Sequence, residues 1–205
     1  LISRIETLIS LLEQKVKADE QARNSKRGFL SAFKYVMTLK NIGITDIIDI
    51  NYMVNAGQGL KRGYKQCDNA IIGAPFQTCP KELVGLRMQE LMNAYKNEWA
   101  KGIPEYCEND EFTSQEEQDM KKDAYYKAIC EREAKFHIVF ERIHPFPDGN
   151  GRTGRIITNQ HLLLNDMAPI IIPADMRTEY LRCIATEDYK TLGAYFRLLS
   201  SVTLT

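Results

Sequence analysis

The sequence predicts an all-α fold, a helical bundle interrupted by one non-helical stretch. Three observations lead there. Apolar residues recur at spacings of three and four along most of the chain, as they do in helices with one buried stripe. Glycine and proline, which break helices, gather at a few joints. Strand-like runs are short and confined to residues 47–50 and 57–80.

Taken in order, Ile2, Ile5, Leu8, Ile9, Leu12 and Val16 give residues 1–22 one apolar face, hence an amphipathic helix too short for a coiled coil. Gln21 to Lys26 is polar and reads as a joint. Phe29, Phe33, Val36, Met37 and Lys40 set the register of a helix over 28–41, with Gly43 as its C′ residue. Thr45 or Asp46 can cap the next helix, through about Asn55, although Ile47-Ile48-Asp49-Ile50 also suits a strand. Residues 57–80 carry Gly57, Gly59, Gly63, Gly73, Pro75 and Pro80, so they form a surface loop or a short β-hairpin between Tyr64–Cys67 and Asn69–Gly73.

A helix over 81–102 buries Leu83, Leu86, Met88, Leu91, Met92 and Tyr95. Residues 103–111 are polar and acidic. Ser114 and Glu117 have capping-box spacing and open a long helix, whose stripe is Met120, Ala124, Ala128, Ile129, Phe136, Val139, Phe140 and Ile143. His137 on this helix and His161 on the next read as structural, since no metal-ligand spacing surrounds them. A helix then runs to about Asn165. Pro169 and Pro173 frame an apolar connection, and two more helices cover 175–186 and 188–201.

A chain of 205 residues without repeats or low-complexity linkers is expected to form a single domain, 1–205. Lys plus Arg total 27 and Asp plus Glu total 27, a balance that argues against nucleic-acid or anionic-membrane partners. The first residues show no signal peptide. The five cysteines form no Cys-x-x-Cys pair, which reads as reduced thiols in a cytoplasmic protein, although a Cys67–Cys79 bridge is conceivable across a hairpin. The chain begins at Leu1, so a longer parent is conceivable.

The chemistry concentrates in residues 143–155, Ile-His-Pro-Phe-Pro-Asp-Gly-Asn-Gly-Arg-Thr-Gly-Arg. Pro145 and Pro147 stop the incoming helix, while Gly149 and Gly151 permit positive φ and bring amides close to a ligand. A glycine turn opening a helix is an anion site, because free N–H groups and the positive end of the dipole point the same way. Arg152 and Arg155, three apart, can reach one polyphosphate together. Asp148 is a hard oxygen ligand suited to Mg²⁺ beside phosphate, and His144 can take a proton near neutral pH. Each residue alone also fits a plain helix–loop–helix joint. It is the coincidence of base, metal ligand, anion hole and cationic clamps at fixed spacing that sets this stretch apart.

The stretch closely resembles the signature of the Fic family, His-x-Phe-x-Asp/Glu-Gly-Asn-Gly-Arg-x-x-Arg, and matches every fixed position. The resemblance implies a helical Fic fold that transfers AMP from ATP, with Mg²⁺, to a Ser, Thr or Tyr hydroxyl of a target protein. By position, His144 would be the general base and Asp148 the Mg²⁺ ligand. The nucleotide would be held by Phe146, Gly149, Asn150, Gly151, Arg152 and Arg155, the last at the γ-phosphate. Family members carry a hairpin flap before the signature, similar to Gly63-Tyr64-Lys65 and Ile71-Ile72-Gly73-Ala74-Pro75 here, with Lys65 in place of the usual Arg. Ile71, Ile72 and Gly73 would then dock an extended target segment by strand addition. Tyr180, Leu181 and Ile184 match a Tyr-bearing helix near the nucleotide base. Relatives move UMP, phosphate or phosphocholine, or remove AMP; those that phosphorylate carry Lys where this chain has Gly151. An idle binding module would be the non-enzyme alternative. Many members restrain themselves with a helix bearing Ser/Thr-x-x-x-Glu-Gly/Asn. Here Thr113 and Glu117 have the spacing, but Gln118 follows, so an inhibitory helix elsewhere or an antitoxin partner is expected, or none.

Overall fold

The computed structural model describes residues 23–106 and 114–202. The expected helix over 1–22 and most of the acidic stretch before Ser114 lie outside the described residues.

Helix α1 covers residues 23–36 and so begins before Gly28, where the sequence suggested a joint. Gly28 is a crossing point rather than a boundary: a Cβ there would collide with the Met53 carbonyl oxygen of the next helix. Helix α2, Ile44–Val54, buries Ile47, Ile50, Asn51 and Val54, a helical stripe that overrides the strand propensity of its isoleucines. Gly43 starts α2 instead of ending α1. Its amide donates to the Asp46 carboxylate (2.8 Å), which also accepts from the Tyr35 hydroxyl (2.7 Å).

The segment 81–102 is one helical run of changing pitch. A 3₁₀ turn (Lys81–Leu83) leads into α3 (Val84–Asn93), then a π turn (Ala94–Glu98) and a final 3₁₀ turn (Trp99–Gly102). Helix α4, Gln115–Ile143, is the spine of the molecule at 29 residues, roughly 44 Å long. The expected capping box opens it: the Glu117 amide donates to Ser114 Oγ and the Ser114 amide to the Glu117 carboxylate, both at 3.4 Å. Its buried stripe runs only from Ile129 onward. Met120, expected inside, is 72% exposed, because no described element covers the first turns of α4 on that side. Helices α5 (Asn150–Leu163), α6 (Arg177–Thr186) and α7 (Tyr189–Val202) complete the bundle.

Two apolar clusters lie on opposite sides of α4 and α5. One gathers Val36, Ile50, Met88, Phe136, Phe140 and Phe146, so it clamps the loop after α4 to helices α1–α3. The other gathers Ile138, Leu162, Ile184 and Phe196 and carries α6 and α7. A buried polar knot ties the two. Glu133, with no exposed surface, accepts from Tyr95 Oη (2.7 Å) and Arg132 Nε (2.8 Å) and pairs with His161 Nδ1 (2.7 Å). Burial alone would push the Glu133 carboxyl up, but His161, Arg132 and Tyr95 hold it below the usual carboxylate range. His161 therefore has a structural role, pairing with the buried Glu133.

No strand occurs over 57–80, so the expected hairpin is not formed. Gly63, just before the first expected strand, and Gly73, at the end of the second, take positive φ, so the backbone turns away at both ends of the expected hairpin. The segment is instead laced to the last turn of α4 and the loop after it by single bonds. The Lys65 amide donates to the Pro145 carbonyl (2.9 Å) and the Cys79 amide to that of Arg142 (3.1 Å). Cys67, Cys79, Cys130 and Cys183 are all free thiols, so no 67–79 bridge exists. Among the described residues no helix is long and apolar enough to cross a membrane.

Candidate active site

Helix α4 ends on His144, which adopts the left-handed conformation (φ 49°, ψ 60°) and whose amide bonds back to the Phe140 carbonyl (3.0 Å). A non-glycine residue there carries on the order of 1 kcal/mol of strain, tolerated where the surroundings fix it. Pro145 prevents the helix from continuing. His144 Nδ1 lies 3.3 Å from the Glu141 carbonyl oxygen, which can only accept; the proton of the neutral ring therefore sits on Nδ1, and Nε2 is the basic atom. Burial pushes the imidazole down to about 4, with nearby Lys65 adding to the effect against the Glu141 carbonyl and Asp148, so the ring is neutral at physiological pH.

The loop that follows is fixed from three sides. Asn150 turns its side chain back on it, Oδ1 accepting from the Phe146 amide (2.9 Å) and Nδ2 donating to the Phe146 carbonyl (2.8 Å). Asn69 Nδ2 donates to that carbonyl as well (2.8 Å). From α2, Asn51 and Asn55 both donate to the Asp148 carbonyl (2.9 and 3.0 Å). The Phe146 ring, expected on the nucleotide, is instead wholly buried between Tyr64 and Phe140 and anchors the loop to the core.

Gly149 (φ 76°) then turns the chain into α5. Its amide reaches the Asp148 carboxylate (2.6 Å), while the amides of Asn150, Gly151 and Arg152 start a helix and have no carbonyl one turn behind them. They form the floor of a cleft of about 360 Å³, walled by Ile71, Glu141, His144, Asp148, Arg155 and Tyr180 among others. Asp148 stands at the rim, its side chain 60% exposed, with Arg152 on one oxygen (3.2 Å). The spare lone pairs of this carboxylate suit a divalent cation shared with phosphate oxygens. Among the described residues no cluster of three His, Cys, Asp or Glu could hold a metal alone.

The two arginines differ. Arg152 is tied down by Ser25 Oγ, the Val54 carbonyl and Asn55 Oδ1, all at 2.8 Å, so it braces α5 against α1 and α2 as well as lining the cleft. Arg155 stands between this cleft and an adjoining apolar hollow of about 560 Å³, bordered by Phe29, Phe33 and Ile170–Ile172. Beneath it, His137 bridges Thr158 Oγ1 (3.2 Å) and Tyr180 Oη (2.8 Å). Burial, and then Arg155, hold His137 down to about 3, so it is neutral and structural, as expected. Tyr180, Leu181 and Ile184 line the cleft. In the 57–80 segment, Ile71 lines it too, Ile72 is 89% exposed, and Gly73 (φ 83°) makes a turn closed by the Ala74 amide on the Ile71 carbonyl (3.0 Å). The Ile72 carbonyl is already taken by Arg177 (3.2 Å), so these residues present no strand edge.

Sequence reasoning missed Asn51, Asn55, Lys65, Asn69 and Glu141. A signal existed for the first two: amides four apart that interrupt the apolar stripe of α2. Lys65 is buried, with Nζ held by Asn69 Oδ1 (2.7 Å) and Thr78 Oγ1 (3.3 Å), and only the fold reveals that.

Residues 44–162 match the family described as Fic/DOC. A probable protein adenylyltransferase of Aquifex aeolicus is 34% identical over 111 residues, 54% of this chain and 27% of the relative. A protein adenylyltransferase Fic of Nematostella vectensis is 25% identical over 186 residues, 88% of this chain and 38% of the relative. The chain thus spans well under half the length of either. Among solved structures, a Fic domain containing signaling protein from Bacteroides thetaiotaomicron superimposes with a TM-score of 0.66 at 17% identity, covering 87% of this chain and 68% of that one. Fic-1 from C. elegans gives 0.65 at 20% identity, covering 88% and 49%. These structures share the helical fold described above.

Proposed function

The chain belongs to the Fic/DOC family, and from that premise we propose that it is a protein adenylyltransferase, moving AMP from ATP to a Ser, Thr or Tyr hydroxyl of a target protein. The observation that carries the reading is the shared cleft. A neutral imidazole with its basic atom free stands beside the open N-terminus of α5. The names of the Aquifex and Nematostella relatives favour this transfer over others in the family.

In the proposed reaction the target hydroxyl attacks the α-phosphorus of ATP. The new O–P bond forms as the bond to the β-phosphate bridging oxygen breaks, pyrophosphate leaves, and the hydroxyl proton passes to His144 Nε2. The amides of Asn150, Gly151 and Arg152 hold phosphate oxygens, and Arg155 takes the terminal phosphate. Asp148 is the residue that would hold Mg²⁺, which when bound offsets charge on the leaving phosphates. Tyr180, Leu181 and Ile184 would face the nucleoside. Ile71 lines the cleft and Ile72 stands exposed beside it, which supports a role in meeting the target, through side-chain contact rather than strand pairing.

His144→Ala should abolish transfer while ATP still binds. The measurement is intact mass of modified proteins after incubation with ATP and Mg²⁺, alongside calorimetric ATP affinity. Loss of ATP binding in this variant contradicts the base assignment. An adduct of one phosphate, or faster UMP transfer from UTP in a parallel reaction, contradicts the choice of AMP.

A further inference from the structure

Glu141 is a buried carboxyl that the reaction above leaves without a task. It is 4% exposed, it borders the cleft, and its Oε1 has no hydrogen-bond partner. An orphaned carboxylate oxygen inside a protein is costly, and native structures keep one where it is used. Its other oxygen, Oε2, lies 3.8 Å from His144 Nδ1, the same atom that meets the Glu141 carbonyl at 3.3 Å. One residue therefore places its carbonyl within hydrogen-bond reach of Nδ1 and its carboxylate just beyond that reach on the same side of the ring. Helix α5 makes room for it: a Cβ on Gly154 would sit 2.9 Å from Glu141 Oε1.

We propose that Glu141 is a positioning residue for His144, holding the ring through Nδ1–H and balancing the imidazolium charge once Nε2 has taken the target's proton. The inference rests on the reading of His144 as the base. The proton balance is simple: the hydroxyl proton moves to Nε2, Nδ1 keeps its own, and a neutral imidazole beside a carboxylate becomes an ion pair. The contact of 3.8 Å shortens as the ring gains charge, as contacts in resting sites commonly do on reaching the transition state.

Four groups face the carboxyl. His137 Nε2, 4.0 Å from Oε1, is neutral; His144 is neutral at rest; the Tyr180 phenol is held protonated by burial; and Arg155 is the formal cation. Lys65 and Asp148 act on His144 from the 57–80 segment and the loop. Burial pushes the Glu141 carboxyl up to about 7, against the pull of Arg155. Glu141 can therefore balance the imidazolium only above that pH, and transfer should rise as the pH passes through about 7.

Glu141→Gln keeps the shape and removes the charge. We expect kcat for transfer to fall about ten-fold or more while KM for ATP stays within about two-fold, and the rise with pH to flatten. The chain has three histidines, so ring NMR can follow each. At pH 8, where Glu141 is charged and His144 neutral, the variant should shift the His144 Nδ1 signal, because that ring loses the carboxylate facing it. Wild-type kcat and pH profile in Glu141→Gln overturn the proposal. So does a lower kcat with an unchanged profile and an unmoved His144 Nδ1 signal at pH 8, since that marks a merely structural loss. Should Glu141→Gln fail to fold, Gly154→Ala displaces the carboxyl without removing it and should give the same flattening; an unchanged profile there overturns the role. His144→Ala separates the two readings. A dead His144→Ala with an unaffected Glu141→Gln removes only the Glu141 role, and an active His144→Ala removes both.

Discussion

Gly149→Ala should be among the most damaging single methyl additions in this protein. Gly149 turns the loop into α5 at φ 76°, where an alanine carries on the order of 1 kcal/mol of strain. The added Cβ would also lie 2.8 Å from Asn55 Nδ2, 2.9 Å from Asn55 Oδ1 and 3.2 Å from Asn51 Nδ2. These amides hold the Asp148 carbonyl, and displacing them removes two hydrogen bonds of about 1 kcal/mol each. The sum is roughly 3 kcal/mol, or a fall in melting temperature of about 6–12 °C for a chain of this size. Urea unfolding of the variant measures it directly. A double-mutant cycle with Asn55→Ala tests the cause, because removing the obstructing amide should make the second methyl cheaper by about 1 kcal/mol. A loss below about 0.5 kcal/mol, or strict additivity in the cycle, would refute the reasoning that α2 pins this turn.

Glu133→Ala strands Tyr95, Arg132 and His161 around an empty site and should cost about 3–5 kcal/mol in thermal or urea unfolding; a loss under about 1 kcal/mol would mean the knot is not structural. His137 and His144 titrate in the fold at about 3 and about 4, below their unfolded value of 6.5, so the unfolded chain takes up more protons and stability drops as pH falls below 6.5. For buried His137 that amounts to about 2 kcal/mol at pH 5. Glu141, raised to about 7, works the other way: its contribution is full below the unfolded value of 4.5 and is lost as pH rises through 7. Glu141→Gln should therefore steepen the acid loss between pH 6.5 and 5, read from unfolding free energy against pH. Arg155→Ala should weaken ATP binding more than ADP binding, which calorimetry can compare.

The residues of the site that bear chemistry were legible because their types are unusual together. No core needs a histidine, an aspartate, three glycines and two arginines in thirteen positions, so residues 143–155 announced a loop opening a helix. What holds that loop was not legible. Asn51, Asn55, Lys65 and Asn69 act on it from 77 to 97 residues away in the chain; the two amides that interrupt the stripe of α2 mark a buried polar contact, but nothing local says what they clamp. The same limit explains the flap. Tyr64, Ile71 and Ile72 have strand propensity, yet positive-φ glycines and bonds to the α4–α5 loop decide the outcome. Gly28 and Gly43 were misplaced for a related reason. A glycine can end a helix, start one or let two cross, and only packing chooses.

The most direct test of the shared cleft is a pair of transfer reactions, one with ATP labelled on the α-phosphate and one with label on the γ-phosphate, each run with wild-type protein and His144→Ala. Label should reach protein from the α position alone, and only with His144 in place. Protein labelled from the γ position, or labelled equally by the variant, would contradict the assignment of the α5 amides and the imidazole to one reaction.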